Sequence, residues 1–212
     1  MSNLAMSQQV SFWDKLAERY SKKPVPDEAA YQRKLNITRG YLRPEMDVME
    51  FGCGTGTTAI AHAPHVRHIL ATDISAKMIE IARNKAEAAG IGNVTFDQAA
   101  IDDYAASDAS FDVIMGHSIL HLVEDRDPVI AKVYRMLKPG GVFVTNTACL
   151  GDKMWIFKYI GPIGQFFGLM PMVRVFTIRQ LTESLVRAGF SVNHKWKPEK
   201  SHSVFIVARK PE

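Results

Sequence analysis

The stretch Met46-Asp47-Val48-Met49-Glu50-Phe51-Gly52-Cys53-Gly54-Thr55-Gly56 decides how this chain is read. Asp47 to Phe51 has the length and apolar content of a short buried strand. It runs straight into glycines at alternate positions, Gly52, Gly54 and Gly56. Behind them, Thr57-Thr58-Ala59-Ile60-Ala61 suits the start of a helix. A strand, a glycine turn and a helix N-terminus together form a ligand cradle. Glycine lets backbone approach a ligand closely, and a helix end offers unpaired N–H donors. The next predicted strand ends in Asp73, about twenty residues further on, where nucleotide-binding folds place the carboxylate that takes ribose hydroxyls.

Working outward, strands are predicted at about 46–51, 68–73, 93–98, 111–116, 141–147, 190–196 and 203–209, with helices near 57–63, 75–89, 127–138 and 177–188. Ser75 is the expected N-cap of the second of these helices, and Gly90 follows its end. Strand–helix alternation implies a mostly parallel sheet with helices on both faces. The last two strands are joined by Lys197-Pro198-Glu199-Lys200, too short for a crossover, so that pair must be antiparallel. Upstream, Met1 to Val10 reads as a polar, frayed start. Ser11 to Tyr20 reads as an amphipathic helix with Phe12, Leu16 and Tyr20 on one face, and Asp27 caps a second helix reaching about Leu42.

The glycines follow G-x-G-x-G with an acid, Glu50, two residues upstream. Thr57 occupies the place of the third glycine in the dinucleotide pattern G-x-G-x-x-G. In this the chain resembles the class I S-adenosylmethionine (SAM) dependent methyltransferases. The resemblance also rests on Asp73, on Ser110-Phe111-Asp112-Val113-Ile114 and on Arg135-Met136-Leu137-Lys138-Pro139-Gly140-Gly141. It is close over residues 45–148 and loose beyond. It implies a doubly wound α/β fold with a seven-stranded sheet in the order 3-2-1-4-5-7-6, strand 7 antiparallel. It implies a helical cap at 1–44, a SAM-binding core at 45–150, an apolar insertion at 151–176 and the rest of the sheet at 177–212. The expected activity is methyl transfer to a small, hydrophobic acceptor, with S-adenosylhomocysteine as product. The alternatives are a non-catalytic SAM-binding or partner-binding protein of the same fold, and a nicotinamide-dependent oxidoreductase, against which Thr57 argues.

The resemblance assigns SAM contacts residue by residue. Glu50 would hold the glycine loop or bind the methionine ammonium. The backbone of Gly52, Cys53, Gly54 and Gly56 would face the methionine part. Asp73 would accept from the ribose diol, because a carboxylate can take two such bonds. Ile74 and Met78 would flank the adenine. Where the family often carries an acid after strand 3, this chain has Ala100, so the adenine contact falls to backbone at Ala100 and Ile101 or to Asp102. Past strand 4, His117 is the candidate base or substrate contact and lies near the cofactor; His121 follows one helical turn later. Each could equally be a structural histidine. Tyr20 and Tyr31 are candidate lid residues over the pocket or plain packing residues, Tyr20 being the one put forward for catalysis. His62, His65 and His68 are expected at the surface.

Composition narrows the rest. At 212 residues, 47% hydrophobic and 23% charged, the chain has the make-up of one soluble globular domain. A net charge of +4 is a weak case for nucleic acid. An Asn-Pro-Pro-Tyr motif and a Pro-Cys nucleophile are both absent, so nucleic acid is not an expected partner. Two cysteines define no disulfide framework, no Cys/His cluster has zinc spacing, and no metal is expected. The first ten residues lack an apolar signal core; the expected compartment is cytoplasmic.

One segment stands out. Residues 151–176 are far more apolar than a connection requires, carry Lys153, Lys158 and Arg174 against Asp152, and contain Gly161, Gly164 and Gly168 as hinge candidates. No run nears the roughly 20 apolar residues of a transmembrane span. The segment either covers sheet core or forms a mobile cap. In a cap, Trp155, Phe157, Phe166, Phe167 and Met170 would line an apolar acceptor pocket, with peripheral membrane contact as a further expectation.

Overall fold

A computed structural model describes residues 3–152, 170–199 and 201–212, with side chains from residue 6 onward. Seven strands form one sheet: β1 Asp47–Phe51, β2 His68–Asp73, β3 Val94–Gln98, β4 Phe111–His117, β5 Leu137–Ala148, β6 Ser191–Trp196 and β7 Ser203–Arg209. Their order is β3-β2-β1-β4-β5-β7-β6. The pairs from β3 through β5 are parallel, and β7 runs antiparallel to both β5 and β6. Both order and direction are those implied by the sequence. Helices α1 Asn3–Ser21, α2 Glu28–Arg39, α3 Thr57–His62, α4 Ala76–Ala88, α5 Arg126–Met136 and α6 Ile178–Arg187 pack around it.

Alternate residues of a strand face opposite sides of the sheet, and here each side has its own core. Met49, Phe51, Leu70, Ile114 and Phe143 join Ile130 and Val133 of α5 and Leu181 and Leu185 of α6. Val48, Ile69, Ala71, Val113, Met115 and Val144 join Ala59 of α3 and Ile79 and Ala82 of α4. At the lower end of the strands Asp112 ties three of them together: its carboxylate accepts from the Asp47 amide at 2.8 Å and from Lys138 Nζ at 2.7 Å. The caps at Asp27 and Ser75 form as the sequence indicates, and the structure adds one at Thr177. Asp27 accepts from the Ala30 amide and Ser75 from the Met78 amide, while Thr177 and Gln180 form a reciprocal capping box.

Three boundaries differ from expectation. Helix α1 begins at Asn3, not Ser11, so the polar start is not frayed. Its inward stripe is Trp13 and the fully buried Ala17, one position round from Phe12 and Leu16, and Gln9 is 5% exposed. The Gln9 side-chain oxygen accepts from the Met172 amide at 3.2 Å, a tertiary bond that periodicity does not register. Helix α2 ends at Arg39, where the Gly40 amide closes the last turn. Strand β5 starts at Leu137, which already pairs with Phe111; Lys138 to Gly141 then bulge before Val113 pairs with Val142.

The glycines of the turn after β1 have different tasks. Gly56 has φ +74°, and a Cβ there would lie 2.8 Å from both Ala82 Cβ and the Phe96 ring. It is the close-packing glycine between the loop, α4 and β3. Gly54, at φ +53°, has Tyr20 Cε1 at 3.8 Å as the nearest atom to such a Cβ, so the space beside it belongs to a pocket. Gly56→Ala is therefore expected to destabilise the fold by about 2–4 kcal/mol, combining overpacking with the left-handed backbone penalty. Urea unfolding of the purified variant measures it, and a loss under about 1 kcal/mol would contradict the packing role.

Candidate active site

Beyond the carboxyl ends of β1, β2, β4 and β5 lies a cleft in two compartments. They share Tyr20, Gly52, Gly54, His117 and Ser118, which places the glycine turn at their junction. The first, about 100 Å³, is bounded by Asp73, Ile74 and Met78 on one side and by Ala99 to Asp102 on the other, with Trp13 of α1 above. The second, about 360 Å³, extends between α2 and α3 and is lined by Glu50, Lys34, His62 and Asn146.

Asp73 is the anchor of the first compartment. Its Oδ2 accepts from the Gly54 amide at 2.8 Å and its Oδ1 from the Ser75 amide at 3.0 Å. Burial raises its pKa above the usual carboxylate range, and those amides oppose the rise. Each oxygen keeps a lone pair for a further donor. Ser75 in turn donates to Asp14 of α1 at 2.6 Å, so the helix over the cleft is tied to the same turn.

The glycine loop is not the open row of donors that the sequence suggests. The Cys53 amide bonds to Thr72 O, the Gly54 amide to Asp73, and the Gly56 amide to Cys53 O. Gly56 lines neither compartment, and its place between Ala82 and Phe96 gives it a packing role. Cys53 lines the second compartment with its thiol buried. Gly52 and Gly54 line both.

Glu50 is 2% exposed and its Oε2 has no hydrogen-bond partner. Burial first, then the Asp73 charge, push its pKa up to about 8, with the Ala59 amide opposing. Near neutral pH the ligand-free protein therefore holds this acid mostly protonated, with one oxygen unspent toward the cleft. Tyr20 is 46% exposed yet stands against both carboxylates. Partial burial and the charges of Asp73 and Glu50 raise its phenol pKa, so at neutral pH it is a hydrogen-bond donor and not a base.

Of the two histidines after β4, only His117 reaches the cleft. Its Nε2 is buried and unpartnered, and burial, with His62 and Lys34 nearby, drives its pKa down to about 3. An imidazole with that proton affinity is a poor general base but a sound hydrogen-bonding group. His121 lines neither compartment. Its carbonyl accepts from the Arg174 amide at 2.7 Å, and burial lowers its ring pKa to about 4. It stands apart from the compartments that hold His117 and Asp73.

The expectation that His62 lies at the surface is likewise overturned: it is 0% exposed, and both ring nitrogens lack partners. Sequence reading missed His62, Lys34 and Asn146, which come from three separate elements. His65 is exposed, and His68 bonds Thr95 Oγ1 at 2.8 Å. Ala100 and Ile101 do line the first compartment, as does Asp102, and the Ala100 carbonyl is occupied by the Asp103 and Tyr104 amides.

The cap residues Trp155, Phe157, Phe166 and Phe167 and the hinge glycines Gly161, Gly164 and Gly168 lie outside the described residues; Met170 is half-buried. The flanks of that segment meet, since the Gly151 amide bonds to Phe176 O at 2.9 Å and the Ile178 amide to Asp152 at 3.0 Å. Among the described residues no cluster of three or more His, Cys, Asp or Glu side chains is placed to hold a metal ion. Nor, among them, is any helix long and apolar enough to cross a membrane.

Comparison with known proteins places this geometry. The family profile described as a methyltransferase domain matches residues 42–168. An uncharacterized methyltransferase of Bacillus subtilis, YcgJ, is 32% identical over 132 residues, 62% of this chain and 52% of the relative. The tRNA 5-carboxymethoxyuridine methyltransferase of Escherichia coli is 31% identical over 139 residues, 61% of this chain and 53% of the relative. This chain thus spans about half the length of the curated relatives it matches. The crystal structure of YcgJ superposes with a TM-score of 0.71 over 85% of this chain and 99% of that one, at 18% identity, a likeness of fold. The match covers the turn after β1, Asp73 and the Leu137–Gly141 bulge together, and the chain belongs to the class I SAM-dependent methyltransferase family.

Proposed function

We propose that this protein transfers the methyl group of SAM to a small-molecule acceptor held beyond the glycine turn. The observation that carries this reading is the pair of carboxylates at the two compartments, one of them with an unspent, fully buried oxygen. SAM is a diol at one end and an ammonium at the other. Asp73 would take the diol, with Ile74, Met78 and the Ala100–Ile101 backbone around the base. Glu50 Oε2 would meet the ammonium, and the bare backbone at Gly54 would leave room between them. When bound, SAM supplies an electrophilic methyl on a sulfonium, already a good leaving group.

The chain's own contribution is orientation, which can be worth about 7–11 kcal/mol in such a reaction. Trp13 and Tyr20 line the cleft from the α1 side. Tyr20 remains a donor, and His117 offers an unpaired ring nitrogen at the junction. The apolar character expected of the acceptor, and contact with a membrane surface, depended on residues 153–169 and have no support from the described residues. The walls described here are mixed in polarity.

Asp73→Ala should weaken S-adenosylhomocysteine binding by on the order of 1.5–3 kcal/mol, roughly ten- to a hundredfold. It should also loosen the turn, because Gly54 and Ser75 lose their acceptor. Calorimetric titration returning the wild-type affinity would remove Asp73 from the site.

Glu50 makes binding pH-dependent, with a definite sign. An ammonium-bearing ligand favours ionised Glu50, so below pH about 8 binding must expel a proton. Affinity for S-adenosylhomocysteine should therefore rise as pH climbs toward about 8 and level off above, by at most about tenfold per pH unit. In Glu50→Gln the profile should be flat and the affinity lower throughout. A flat wild-type profile from pH 5.5 to 9 would exclude Glu50 from ligand binding.

For His117→Ala, the expected result is S-adenosylhomocysteine affinity within about threefold of wild type and turnover lowered roughly ten- to a hundredfold, an orientation loss. Because the imidazole is neutral throughout, the shape of the pH–rate profile should not change. Unaltered turnover would make His117 a structural residue.

A further inference from the structure

The second compartment has a chemistry that methyl-donor binding does not use up. His62, wholly buried in α3, has two unpartnered ring nitrogens, and His117 Nε2 is unpartnered as well. Native proteins leave few buried polar atoms unpaired, because each forfeits its hydration without a replacement bond. Three on one cavity's walls mark a place shaped for a polar guest. Lys34 of α2 lines the same cavity; Asp27 at the start of α2 acts on it by charge, but its ammonium makes no hydrogen bond or close ion pair among the described residues, and burial lowers its pKa. Lys85 sits at its rim, held by the Thr55 hydroxyl at 2.9 Å. Against these cations the cavity has a single carboxylate among its described lining residues, Glu50. Glu50 is mostly protonated near neutral pH in the ligand-free protein, and it is the natural partner of the methyl donor's ammonium.

We infer that this compartment holds the methyl acceptor by an anionic oxygen group, with Lys34 as its counter-ion and the His62 and His117 imidazoles as hydrogen-bonding partners. The inference rests on the reading above, that the methyl donor lies between Asp73 and Glu50. A neutral imidazole has one N–H to give, and a desolvated anion gains most from a charged partner supported by such donors. The acceptor is thus a small acid, anchored by its charge and presenting its nucleophile toward the glycine turn. The methyl donor's own carboxylate is a second anion that the Lys34 ammonium can answer, and the experiment separates the two sources.

A bacterial metabolite extract is split on anion-exchange resin into an anionic pool and a neutral-plus-cationic pool. Each pool is incubated with the full chain and methyl-tritiated SAM. Labelled product is expected from the anionic pool. At limiting pool concentration, Lys34→Gln should lower that labelling about tenfold or more, Lys34→Arg should keep a good part of it, and both should bind S-adenosylhomocysteine within about twofold of wild type. Label arising only from the other pool, or from neither while S-adenosylhomocysteine still binds, overturns the inference. So does a Lys34→Gln variant whose S-adenosylhomocysteine affinity falls by the factor that labelling does, which would assign Lys34 to the donor's carboxylate. Wild-type protein that fails to bind S-adenosylhomocysteine overturns the proposed function itself, a result distinct from these.

Discussion

The carboxylate of Asp73 is the constraint on which the site depends. It closes β2, draws the Gly54 amide of the preceding turn onto itself, and fixes the Ser75 amide where α4 begins. Ser75, held by that bond, presents its hydroxyl to Asp14 and so seats α1 over the cleft. One side chain thereby sets the height of the glycine turn, the start of a helix and the roof. Charge-assisted bonds of this kind contribute about 1.5–3 kcal/mol each, enough to hold a turn with three positive-φ glycines in one conformation.

The two acids of the cleft are unlike because their partners are unlike. Asp73 has two backbone donors that offset its burial. Glu50 lies deeper, beside Asp73, with one oxygen bare, and it answers by keeping its proton to about pH 8. A buried acid in this state is poised: a cation arriving beside it both finds a partner and removes the cause of the shift. The histidines obey the same rule with the opposite sign. Burial keeps both rings neutral, helped at His62 by Arg39 and His65 and at His117 by His62 and Lys34, so these side chains can pair with a guest but cannot store a proton for it.

Glycines that look equivalent in a row prove different once neighbours are present. The spacing of Gly52, Gly54 and Gly56 marked the turn, but only Gly54 has pocket space where a side chain would be; Gly52 faces Ile119, and Gly56 faces Ala82 and Phe96. Likewise the loop amides, open donors on paper, are bonded to Thr72, Asp73 and Cys53. Both outcomes depend on segments that pack against the turn from elsewhere in the chain.

By itself the sequence determined the architecture. Apolar strand runs, helix caps at Asp27 and Ser75, and the short link before β7 each act within a few residues, so the alternation of elements, the antiparallel end and the anchoring acid were readable locally, while the strand order followed from the family resemblance carried by the glycine turn. It also determined that Glu50, Asp73 and His117 would fall together, because all three sit at strand ends on one edge of a parallel sheet. Only the tertiary structure decided which side chains face the cavity. Lys34, His62 and Asn146 belong to α2, α3 and β5, and no local pattern links them. His121, four residues from His117, lines neither compartment. A side chain's burial and orientation are set by contacts between distant segments, and a spacing rule is silent about those.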